Sequence, residues 1–281
     1  MAKRILRVFP HDNSYIPHDN MVRIGTQTLA LPPHDEIHIS CTFTWDMDYC
    51  EYLRDQYQAV TDKPVLLGGG AYGSPAGDFQ AGMYVKQGIT FTSRGCNNHC
   101  KFCFVPEREG KIREIPIVAG NIVQDNNILQ CSENHIGAVF EMLQTQRAVE
   151  FRGGLEAAKM TPFFAEQVTK LQQQHRLRNI WVAADTWGEV KPLRKALEML
   201  KDAGFIVNNS FVQCYTISYG KPEQRQEDEE RFKTVFEMGV MPRVQLFRAA
   251  TREKTKYPIE VEQWARSWQR PAIIKAKMKA R

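Results

Sequence analysis

From residue 84 to residue 247 the chain alternates strand-like with helix-like stretches, and this rhythm limits the fold more than any other feature. The strand-like runs fall at residues 84–92, 121–123, 148–151, 179–184, 205–217 and 240–247. Amphipathic helical patterns occupy residues 135–146, 189–203 and 225–238, and another helix opens at Pro162 after the capping candidate Thr161. Proline at a first helical position costs nothing, because its missing N–H has no partner there. A strand needs a crossover before its parallel neighbour, so repeated β–α alternation specifies a parallel sheet covered by helices. The expected class is α/β.

Ahead of this run, residues 36–43 alternate with period two, residues 45–60 are helical, and Val65-Leu66-Leu67 runs into Gly68-Gly69-Gly70. Strand, helix and strand of that size make a βαβ unit. Residues 1–35 read as irregular, with a loose repeat at Pro10-His11-Asp12-Asn13, Pro17-His18-Asp19-Asn20 and Pro33-His34-Asp35. Asp and Asn after Pro form turns by bonding their own backbone. Three His-Asp pairs are also a metal-ligating chemistry, although gaps of this length through loops fix no geometry. The length of 281 residues allows a medium catalytic domain with small appendages, set here at residues 1–83, 84–250 and 251–281. No run approaches the ~18 apolar residues of a membrane span, and no signal peptide is expected at the start. An odd count of seven cysteines fits a reducing, cytoplasmic setting better than a disulfide framework.

Three of those cysteines, Cys96, Cys100 and Cys103, lie in the pattern C-x3-C-x2-C on a loop that leaves the first strand of the run. Thiolates bind iron or zinc and are costly to crowd together without a metal. A structural zinc takes a closed set of four ligands. Three cysteines suit a cubane iron–sulfur cluster with one iron left open. The zinc alternative would recruit His99, whose side chain points away from that of its neighbour Cys100.

With Phe102 just before the last cysteine, the loop resembles that of the radical S-adenosylmethionine (radical SAM) superfamily. The longer string Gly95-Cys-Asn-Asn-His-Cys-Lys-Phe-Cys-Phe-Val-Pro106, followed by Arg108 and Gly110, is similar to its methylthiotransferase branch. The resemblance implies a partial (β/α)6 barrel with a small N-terminal α/β domain, a Rossmann-like remnant. It implies that Cys96, Cys100 and Cys103 hold a [4Fe–4S] cluster whose open iron chelates S-adenosylmethionine (SAM). One electron, from a donor such as flavodoxin or ferredoxin, then gives a 5′-deoxyadenosyl radical. Residues 1–83 resemble half of a cobalamin-binding domain, but Asp35-Glu36-Ile37-His38 lacks the Asp-x-His-x-x-Gly spacing, so cobalamin is not expected. Methylthio transfer needs three further cysteines near the N-terminus, where this chain has Cys41 and Cys50.

In such barrels chemistry gathers at the C-terminal ends of the strands. The second strand ends in Asp125, Asn126 and Asn127, and the third in Gly153, Gly154 and, after Leu155, Glu156. By the resemblance one of these segments meets the SAM amino group. The favoured reading gives that part to Asp125–Asn127 and lets Gly153 and Gly154 admit the cofactor closely; the alternative for both is a tight turn. Asp185 is a candidate for the ribose hydroxyls, or a helix cap. Cys214 and Tyr215 are candidate hydrogen donors to a product radical, one of them facing inward, with core packing the alternative for Cys214. Arg152 and Arg243 are candidate anion clamps for the SAM carboxylate or for a small-molecule or nucleotide substrate. Residues 263–281 carry six basic residues and no acid. Trp264, Arg266, Trp268 and Arg270, then Lys275, Lys277, Lys279 and Arg281, suit single-stranded nucleic acid if the rings are free to stack. Two tryptophans four apart on a helix suit packing against the sheet equally well. A non-catalytic zinc- or cluster-bearing module binding nucleic acid through this tail is the rival function.

Overall fold

The computed structural model describes residues 3–27, 29–73 and 79–279. Twelve strands and eight α-helices follow in order among them. The first unit holds β1 (Ile5–Phe9), β2 (Val22–Ile24), β3 (Glu36–Ser40), α1 (Met47–Gln58) and β4 (Val65–Gly68). Its sheet runs β2-β1-β3-β4, parallel throughout. Leu6, Val8, Ile37 and Ile39 point from it onto Cys50, Leu53 and Tyr57 of α1, in a core of its own. The expectation of irregular chain over residues 1–35 is thus corrected: it supplies two strands. Their alternation is hidden because Leu6 and Val8 are buried beside the equally buried Arg7, which donates to the carbonyls of Gly82 and Met83. The Pro-His-Asp-Asn strings do form turns, with Asn13 Oδ1 accepting from Tyr15 N–H and Asp19 Oδ1 from Met21 N–H.

The second unit begins with β5 (Ile89–Thr90), β6 (Ser93–Arg94), α2 (Val105–Glu109) and β7 (Arg113–Glu114). There follow β8 (Ile122–Val123), α3 (Glu133–Leu143), β9 (Val149–Leu155), α4 (Pro162–Gln173), β10 (Leu177–Ala183), α5 (Trp187–Asp202), β11 (Val212–Ser218), α6 (Arg225–Glu237), β12 (Met241–Leu246), α7 (Ile259–Ser267) and α8 (Pro271–Lys279). Six strands make one parallel sheet, β12-β11-β10-β9-β8-β5, while β6 and β7 pair antiparallel beside it. Each new strand therefore adds on the same side of the last. With right-handed crossovers, that order puts every connecting helix on one face. Phe151, Ile180, Val182, Val212 and Cys214 meet α3, α4 and α5 there, in a core that includes Val139, Phe164, Val168, Leu193 and Leu197. Local chemistry starts these helices: Ser132 and Thr161 cap α3 and α4, and Thr186 with Glu189 makes a reciprocal capping box on α5.

The opposite face is polar. Glu150, Arg152, Trp181, Gln213, Tyr215 and Arg243 alternate with the core residues. Tyr215 packs on Trp181 with ring centres 4.7 Å apart and planes tilted by 34°, and Arg243 Nε donates to Gln213 at 2.8 Å.

Two strand expectations shorten. The run 84–92 pairs only at Ile89–Thr90, because Asp125 draws the Thr92 N–H and hydroxyl away from the sheet edge. The run 205–217 starts at Val212, since Asn208 Oδ1 takes the N–H groups of Ser210 and Phe211 in a turn. The third strand instead runs on through Gly153 and Gly154 to Leu155, with an irregular register against β10.

Candidate functional site

The cysteine loop leaves β5 and is closed by the β6–β7 hairpin. Cys96 N–H donates to the Gly110 carbonyl at 3.1 Å, and Asn97 Oδ1 accepts from Ile112 N–H at 3.1 Å. Gly95 makes this crossing possible. Its φ is +81°, and a Cβ there would lie 2.2 Å from the Lys111 carbonyl oxygen, so only glycine fits. Glu109, at the end of α2, is the clamp on the far side. It pairs with Arg108 at 2.8 Å and accepts from Asn126 Nδ2 at 2.7 Å, and these bonds hold its carboxyl below the ordinary range despite burial.

A second set of bonds ties the loop to the ends of β8 and β9. Gln130 accepts from Asn97 N–H at 2.8 Å and donates to Asn98 at 3.1 Å and to Glu156 at 3.0 Å. Asn127 Nδ2 donates to Glu156 at 2.7 Å and lies 4.0 Å from the Cys96 sulfur, which also receives the Asn98 N–H at 3.5 Å. The buried Asn127 Oδ1 has no hydrogen-bond partner among the described residues. It is an acceptor in want of a donor, one side chain away from a thiol.

Asp125 sits where it was expected and is engaged by its own loop. Its two carboxylate oxygens take the Thr92 N–H and hydroxyl at 2.6 and 2.5 Å and the Ser93 hydroxyl at 2.8 Å. Burial raises its pKa against those bonds. Asp125 is the staple that bends the chain out of β5 into the loop. Gly153 likewise serves the backbone: a Cβ there would fall 1.5 Å from the Asp125 carbonyl oxygen. The space beside it, bounded by Val123, Asp125 and Phe151, measures about 10 Å³. That admits about one water and no cofactor. Gly154, at φ +85°, lies on the polar face with the Tyr215 ring 3.6 Å from where its Cβ would be.

Asp185 ends β10 and takes the Ile217 N–H at 2.8 Å. The cap of α5 is Thr186, so the helix-cap alternative for Asp185 is set aside. Burial, then the neighbouring Glu189, push the Asp185 pKa up to about 7, against the pull of the Ile217 N–H and Arg231. Its negative charge is a minor cause that raises the Cys100 and Cys103 thiols. Burial is the first cause that raises both thiols, Cys100 to about 11. Cys214 and Tyr215 separate by pleat: Cys214 is fully buried in the helix-side core, whereas Tyr215 lies on the polar face and donates to the Arg152 carbonyl at 3.0 Å.

Outside the loop, the tail residues Trp264 and Trp268 are 6% and 0% exposed and pack with Phe232, Met241 and Val244. Neither ring is open to a base. Lys277 covers Trp268 at 4.2 Å and donates to Ser267; Arg281 lies outside the described residues. Cys41 and Cys50 are buried in the small domain's core.

Glu109, Gln130 and Trp181 were not singled out by the sequence. Nothing in their spacing marks them; each matters through a partner distant in the chain. His99 is exposed, and no three His, Cys, Asp or Glu side chains among the described residues form a ready ion site. The donor types are those of a cluster with an open iron: three partly exposed thiols on one stapled loop, with the amide of Asn127 4.0 Å from the Cys96 sulfur. No protein-family model matches the chain, and no curated protein matches it.

Proposed function

We propose that this chain is a radical SAM enzyme, with the six-stranded sheet as a partial (β/α)6 barrel and residues 1–83 as a Rossmann-like remnant domain. One observation carries it. A C-x3-C-x2-C loop leaves the first strand of a parallel sheet whose strands add in one direction, all helices on one side and a polar face on the other. Cys96, Cys100 and Cys103 would hold a [4Fe–4S] cluster, with Phe102 shielding it. When bound, the cluster supplies the electron that cleaves the S–C5′ bond of SAM.

The chain's own residues do the placing. Asn127 Oδ1 and Glu156 are the acceptors for the SAM amino group, while Asp125, Asn126 and Glu109 hold the loop against the sheet. Asp185 takes a ribose hydroxyl, and Gly154 leaves room on the polar face. There Arg243, beside an Arg152 that is paired with Glu150, would favour an anionic substrate, and Tyr215 would return a hydrogen atom to a product radical. The chemistry is hydrogen abstraction from a small molecule or nucleotide, with flavodoxin or ferredoxin as donor, in the cytoplasm. No helix among the described residues is long and apolar enough to cross a membrane. The nucleic-acid module is less well supported, since its stacking rings are core residues. Anaerobically reconstituted protein should be brown, absorb near ~400 nm as iron–sulfur thiolates do, and release 5′-deoxyadenosine from SAM with dithionite. A colourless protein that takes up zinc instead would overturn the proposal.

A further inference from the structure

A cleft of about 220 Å³ opens between the small domain and the cysteine loop, lined by Phe43, Trp45, Gly70, Phe104, Glu107 and Arg108. Two of its rings are unusually bare: Phe43 is 46% exposed and Phe104 is 38% exposed. Phe43 stacks on Trp45 at 4.6 Å with the planes 7° apart. Exposed aromatics gathered in a concave place mark a binding surface more often than chance. Cations stand on both sides. Arg108 lies 5.1 Å over the Phe104 ring, and Lys254 lies 5.8 Å over Trp45. Arg108 Nε is buried without a partner among the described residues, and Gly70 leaves the neighbouring wall open, its absent Cβ facing Arg108 Nη1 at 3.4 Å. Glu107 is the carboxylate on the rim, able to accept from ring N–H or amino groups.

We propose that this cleft binds a nucleotide, its base on the Phe43–Trp45 and Phe104 rings and its phosphate held by Arg108 and Lys254. Flat rings beside cations reward this chemistry, and base stacking is tolerant of which base is present. A corrinoid is far too large for a cleft of this volume, whereas a mononucleotide can seat its base there with its ribose in solvent. An apolar peptide would leave Glu107 and Lys254 without partners, Arg108 being paired on one side with Glu109 at 2.8 Å. Binding stands by itself; that the nucleotide is the substrate, presented beside Cys103, rests on the radical SAM reading above.

The test is calorimetric titration of cluster-loaded protein, saturated with SAM, with AMP, GMP, CMP, UMP and a six-nucleotide single-stranded RNA. We expect at least one nucleoside monophosphate to bind below about 1 mM. Phe43→Ala and Phe104→Ala should each weaken it at least about fivefold, the loss of one stacking contact. Tyr52→Ala, an exposed aromatic on α1 outside the cleft, should leave affinity unchanged. Much tighter binding of the RNA would identify the nucleotide's source as nucleic acid, and equal binding a free nucleotide. No binding by any of the five, or affinity untouched by both cleft variants, overturns the proposal. If 5′-deoxyadenosine still forms from SAM in that case, the radical reading survives and only the cleft is reassigned.

Discussion

The two parallel sheets end on the same region of the molecule but bring different groups to it. The small sheet ends in Cys41 and in Gly68-Gly69-Gly70, and its thiols are sealed in an apolar core. The hydrogen bond with the adjacent Cys41, and then burial, push the Cys50 thiol far up. Its glycines serve the chain itself: a Cβ on Gly69 would lie 2.5 Å from the Cys41 carbonyl oxygen. The large sheet ends in Asp125, Asn127, Glu156 and Asp185 around three partly exposed thiols. The difference teaches where chemistry belongs. Sealed thiols serve packing, and accessible thiols keep the reactivity that metal binding needs. On the proposed reading the small domain contributes a wall to the site.

The sharpest way to break this comparison is to exchange cysteines for alanine. Cys96→Ala, Cys100→Ala and Cys103→Ala should each abolish 5′-deoxyadenosine formation, because a cubane left with two protein ligands is labile. Cys41→Ala, Cys50→Ala and Cys131→Ala should keep iron at about four per chain. Reconstituted iron near eight, halved by Cys41→Ala or Cys50→Ala, would show that the small domain holds a cluster too.

The next effect is on stability, and it assigns the tail to the large sheet. Trp268 is fully buried against Phe232, with ring centres 5.6 Å apart. Trp268→Ala should cost about 3–5 kcal/mol in urea unfolding. A loss under about 1 kcal/mol would free the tail for another role.

These residues also show what was legible in sequence. Strand–helix alternation displayed the larger sheet, since a helical face and a strand each carry their own period. The first two strands were missed because Arg7, a buried charge, interrupts the apolar pattern of β1. The three cysteines stood out by spacing alone. Asp125 stands at its strand end as expected, but sequence position does not reveal that its oxygens accept from Thr92 and Ser93. The split between Cys214 and Tyr215 followed from the pleat, but which side faced the helices needed the sheet.

Acidity offers a third test. With a folded pKa of about 7 against an ordinary 3.8, Asp185 holds its proton in the folded state over a range where the unfolded chain releases it. Its contribution is complete below pH ~4 and is lost as pH rises to ~7, by about 3–4 kcal/mol. Glu189, Arg231 and the Cys100 and Cys103 thiols face the same carboxyl, so cluster-free protein gives the clean comparison. Between pH 4.5 and 7, wild type should lose urea stability relative to Asp185→Asn. Parallel curves would show that Asp185 is solvated.

The smallest predicted effect separates the two sheets by their glycines. Gly69 and Gly95 have φ of +108° and +81°, and at both a Cβ would meet backbone, the Cys41 carbonyl in one case and the Lys111 carbonyl in the other. Gly69→Ala and Gly95→Ala should therefore each cost about 1–3 kcal/mol, the usual strain of a side chain in such a region. Their consequences for iron should differ. Gly95 holds the crossing that brings Cys96 N–H to Gly110, so its strain falls on a ligand and should lower iron loading. Gly69 strains only the end of β4 against Cys41, and iron loading should stay at the wild-type level. Equal loss of iron in both variants would mean that the small sheet supports the cysteine loop, and that the two sheets act as one site.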